Sequence, residues 1–79
     1  MKPDYPSYGE VRFAILTPCP LDQAIDLVAR RVLGLQLDGM RYSAFLAEAL
    51  SDLSERHQMP RAMIRGRYDL AMALLDRIA

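Results

Sequence analysis

The chain is poor in the residues that build covalent staples and reactive centres. Among its 79 residues there is one cysteine, Cys19, and one histidine, His57. A single thiol forms no internal disulfide, and one thiol with one imidazole falls short of a structural zinc site, so helix packing or self-association must hold the fold. The four glycines, Gly9, Gly34, Gly39 and Gly66, are scattered and form no phosphate-binding loop. No apolar run approaches the ~18–20 residues of a membrane span. The start, Met1-Lys2-Pro3-Asp4-Tyr5-Pro6, lacks the apolar stretch of a secretion signal. An excess of charge is missing too, since ten Lys and Arg balance ten Asp and Glu. The whole molecule therefore has no general attraction to polyanions or acidic membranes. These absences predict a cytoplasmic protein with no membrane association, no metal and no cofactor.

What is present is apolar periodicity. A chain this short buries only ~60% of its unfolded surface, enough for one small core, so a single helical domain is expected over 1–79. Four of the five prolines, Pro3, Pro6, Pro18 and Pro20, fall within residues 1–20, which predicts an extended arm over 1–17. Inside it Val11, Phe13 and Ile15 alternate with Glu10, Arg12 and Ala14, the period of a short strand over 10–16. That strand has no hairpin partner in the sequence. It is expected either to lie over the helices or to pair with another chain.

From Thr17 onward the pattern is helical. Thr17-Pro18-Cys19-Pro20-Leu21-Asp22 reads as a helix start with a hydroxyl cap and prolines in the first turn. Leu21, Ile25, Val28, Val32 and Leu35 form one stripe, closed by Gly34 and the Asp38-Gly39 turn. A second helix is expected from about Tyr42 to His57, with Tyr42, Leu46, Ala49 and Leu53 inward and Phe45 and Leu50 beside them. Pro60 opens a third, carrying Ile64, Tyr68, Ala71, Leu75 and Ile78. The prediction is all-α: a three-helix bundle over 18–79 with an extended N-terminal arm. The third helix has more apolar surface than such packing requires. Leu70, Met72 and Leu74 mark a candidate homodimer or partner interface, joined by Val11, Phe13 and Ile15 of the arm.

No residue set points to catalysis. Cys19 lies between two prolines at a predicted helix start, where a structural role accounts for it, and no motif pairs it with His57. Glu48, Asp52 and Glu55 share a helix face and read as a solvated acidic surface rather than a metal site. Charge segregation is the one strong feature. Residues 56–67 contain Arg56, Arg61, Arg65 and Arg67 and no acid, a formal +4 that the rest of the chain must balance with −4. Arginine suits bidentate recognition of phosphate, guanine edges or carboxylates.

The stretch Leu53-Ser54-Glu55-Arg56-His57-Gln58-Met59-Pro60-Arg61-Ala62-Met63-Ile64-Arg65 resembles the helix-turn-helix of DNA-binding proteins. Ser54 is the small residue where the first helix faces the second, Met59 the apolar turn residue and Ile64 the apolar anchor. The match spans residues 50–69. Glycine usually occupies the position of Gln58 and apolar residues those of His57 and Arg67, so the resemblance implies a left-handed backbone at Gln58. It also implies a recognition helix after the turn that enters the major groove of duplex DNA. Arg61 and Arg65 would face outward, Ala62 and Gly66 would allow close approach, and Arg56 and Arg67 would add to the binding surface. The expected function is a small, non-enzymatic, dimeric transcription regulator. The alternative is a protein-binding inhibitor or adaptor, whose arm adds a strand to a partner's sheet and whose arginines and methionines meet a protein surface.

Overall fold

A computed structural model describes residues 5–78, and its backbone is helical throughout apart from short connections. Residues 1–4 of the expected arm, the terminal Ala79 and the side chain of Ile78 lie outside the described residues. There are four helices rather than three among the described residues: α1 over Tyr8–Leu16, α2 over Leu21–Leu37, α3 over Ser43–His57 and α4 over Arg61–Ile78. The fold class is all-α, as expected. The extended arm with a strand over 10–16 is corrected: that segment is α1.

The reason is local. Ser7-Tyr8-Gly9-Glu10 is a helix-initiating box in which the Ser7 hydroxyl accepts from the Glu10 backbone N–H at 3.2 Å and donates to the Glu10 carboxylate at 3.3 Å. Val11, Ala14 and Ile15 then share one helical face and enter the core, with Val11 fully buried. Phe13 breaks the alternation reading, because in a helix it points away and is 70% exposed. Thr17 ends this helix instead of capping the next one, donating its hydroxyl to the Phe13 carbonyl at 2.7 Å. α2 starts on the Pro20 carbonyl, which accepts from the N–H groups of Gln23 and Ala24.

The other two connections share one design. Gly39 (φ 69°) ends α2, with Met40 N–H reaching the Leu35 carbonyl and Gly39 N–H the Gln36 carbonyl. This is the paired hydrogen bonding of a left-handed C-terminal cap. Gly34 is therefore not a stop. It lies inside α2 under Tyr5, where an added Cβ would sit 2.8 Å from the ring.

The core is built on α2, which packs against all three other helices. Ala24, Ile25, Val28, Ala29 and Val32 of α2 meet Val11 and Ile15 of α1, Leu46, Ala49, Leu50 and Leu53 of α3, and Ile64, Tyr68 and Leu75 of α4. No charged side chain is buried among the described residues. Helix α1 lies against α2 and α3 but not α4. Its nine residues are too few to be stable alone. They are fastened by Arg12, which bridges Glu48 and Asp52 of α3 at 3.1 and 2.9 Å. The segment before α1 is held by Arg31, whose guanidinium donates to the Pro6 carbonyl and lies over the Phe45 ring.

Candidate nucleic-acid interface

The α3–α4 connection positions the arginines. Gln58 adopts φ 52° and ψ 47°, the left-handed conformation, and is the only non-glycine residue among those described with positive φ. Its N–H bonds the Glu55 carbonyl, and the N–H of Met59 bonds the Ser54 carbonyl at 3.1 Å. The Ser54 hydroxyl donates to the Met59 carbonyl at 2.6 Å, so the same residue binds the turn through both backbone and side chain. A hydroxyl at 54 thus does more than allow close helix approach. The Pro60 carbonyl accepts from Met63 and Ile64, which launches α4 three residues after α3 ends.

On α4 the buried positions Ile64, Tyr68 and Leu75 fix the inward direction. At ~100° per residue, Arg61, Ala62, Arg65, Gly66 and Asp69 occupy a single arc of about 140° on another side, and all five are exposed. Arg61 carries no ion-pair partner among the described residues, and the same holds for Arg56 at the end of α3. Arg65 is engaged by its own helix: it donates to Asp69 at 3.1 Å, and its guanidinium lies 5.7 Å from the centre of the Tyr68 ring. An exposed pair of this kind contributes ~0.3–0.5 kcal/mol, little enough for a phosphate or base edge to displace it. Gly66 has open space where a side chain would begin. Beneath the arc, burial pushes the Tyr68 phenol up to about 12, and the proximity of Tyr42 adds to the shift.

Arg67 does not join this arc. It turns toward α2 and donates to Asp22 at 3.1 Å. The expected interface residues also separate. Val11 and Ile15 are core residues covered by their own chain, and Met72 packs partly against the core. Phe13, Leu70 and Leu74 are exposed, the first on α1 and the others on α4. The acidic face of α3 is only partly solvated, because Arg12 occupies Glu48 and Asp52. Sequence reading missed that clamp, whose partners are 36 and 40 residues apart. No group of three or more His, Cys, Asp or Glu capable of holding a metal occurs among the described residues. No described helix is long and apolar enough to cross a membrane. No protein-family model, curated protein or solved structure matches the chain.

Proposed function

We propose that this chain is a small, non-enzymatic, helix-turn-helix-like DNA-binding regulator in which α4 is the recognition helix. The observation that carries the reading is the arc of Arg61, Ala62, Arg65 and Gly66 in the first two turns of α4, presented by the left-handed turn at Gln58. Two arginines one turn apart with small residues beside them let a helix approach base edges closely while offering bidentate donors to guanine. The exposure of Arg56 at the end of the preceding helix supports a contact with the phosphate backbone. α2, packed on both α3 and α4, supplies the third helix that holds such a pair rigid.

Fluorescence anisotropy with a pool of random duplexes tests the reading. Arg61→Ala and Arg65→Ala should each weaken binding at least tenfold without changing the circular dichroism, while Arg41→Ala, which removes an exposed arginine before α3, should leave it unchanged. Equal binding by all four proteins would refute it. A wild-type chain that binds no duplex would turn attention to a protein partner. That partner would not be met by strand addition, because residues 8–16 are helical.

A further inference from the structure

Helix α4 has a second stripe that the chain itself does not use. Met63, Arg67, Leu70, Leu74 and Arg77 follow steps of four, three, four and three, the spacing of the core positions Ile64, Tyr68, Ala71 and Leu75 displaced by one residue. Met63, Leu70 and Leu74 are each more than half exposed. This 4-3 rhythm is the seam of a two-helix coil, and the stripe contains no acid. The arc proposed to meet DNA is centred about 130° around the helix from this stripe, the two meeting at Gly66 and Leu70.

We infer that the stripe pairs with the same stripe of a second copy, antiparallel, about a two-fold axis level with residue 72. Charge selects both the occupant and the direction. A parallel pair would gather both Asp22 carboxylates around the Arg67 pair and stack Arg77 on its own copy with no anion beside it. In the antiparallel register Leu70 lies opposite Leu74 of the partner subunit, and Arg67 comes level with Arg77 of the partner subunit. At that point each chain already holds an anion: Asp22 of α2, bound to Arg67 and still 83% exposed. Its carboxylate has two oxygens and room for a second guanidinium. The same chain's Arg77 has no ion-pair partner among the described residues. Two-fold symmetry then closes an Arg67–Asp22–Arg77 contact at each end of the leucine pair. Four half-exposed leucines make a small interface, so the association is concentration-dependent rather than obligate.

The inference does not rest on DNA binding, and its test contains no nucleic acid. Sedimentation velocity from low to high micromolar protein should show a monomer–dimer equilibrium for the wild type. Leu70→Glu, at an exposed position, should be monomeric throughout with unchanged helicity. Asp22→Arg, which removes the bridging anion and leaves three cations at each end, should weaken association at least tenfold, and the exchange of both charges, Asp22→Arg with Arg77→Glu, should restore it. A wild type that stays monomeric, or a Leu70→Glu variant that dimerises normally, would overturn the pairing. Failure of the double exchange to rescue Asp22→Arg would overturn the antiparallel register.

Discussion

At the scale of single residues, two positions have physical consequences that can be measured apart from function. Gln58 holds a left-handed backbone without being glycine, a conformation that costs an L-residue ~1–2 kcal/mol. Gln58→Gly is expected to raise stability by about 1 kcal/mol, partly offset by the added freedom of the unfolded glycine, and to shift the thermal midpoint upward by ~4–8 °C. A midpoint that falls would show that the Gln58 side chain stabilises the turn in a way its backbone conformation does not reveal. Tyr68 supplies a pH signature. Its phenol keeps its proton to about pH 12 in the folded state, whereas the unfolded chain releases it near pH 10. The folded state therefore binds more protons between those values. The associated stability is complete below pH ~10 and is lost as pH rises through 12. In denaturant melts, wild type should lose on the order of 2 kcal/mol relative to Tyr68→Phe as pH rises over that window. Parallel pH profiles would contradict the burial of the phenol.

At the scale of elements, α1 is the part most dependent on side-chain contacts. Ser7→Ala removes its N-terminal cap and should cost about 1 kcal/mol. Arg12→Ala removes a partly exposed bridge to Glu48 and Asp52 and should cost up to about 1 kcal/mol. Hydrogen exchange should then show faster opening confined to the amides of residues 11–16, with α2 and α4 protected as before. Uniform acceleration across all helices would mean that α1 folds as one unit with the rest. The same element marks the boundary of what was legible in the sequence. The stripes of α2, α3 and α4 emerged because each is long enough for the 3.6-residue period to dominate. In the nine residues of α1, Val11, Phe13 and Ile15 fit a two-residue period as readily as Val11, Ala14 and Ile15 fit a helix. The deciding signal was Ser7-Tyr8-Gly9-Glu10, a capping box that prolines on both sides obscured. The arginine arc could be located from spacing along one helix. Arg12 on Glu48 and Arg67 on Asp22 could not, because those pairs arise only when separate helices dock.

At the scale of the whole molecule, a neutral total charge conceals a division of labour among surfaces. Arg12, Arg30 and Arg67 are paired with acids within the chain, while Arg56 and Arg61 are left without acid partners and Arg65 is held only by an exposed contact on its own helix. Polyanion binding is therefore expected from one end of the α3–α4 unit and not from the protein at large. The measurement that tests this most directly is the salt dependence of duplex binding by anisotropy between ~50 and ~200 mM salt. On a pool of random duplexes, where no guanine is held in register, Arg56, Arg61 and Arg65 meet phosphates, so log affinity should fall against log salt with a slope of about −3, and Arg61→Ala should reduce that slope by about one. Absence of binding at the lowest salt, or a slope that Arg61→Ala leaves unchanged, would contradict the assignment of α4 as a DNA-reading helix.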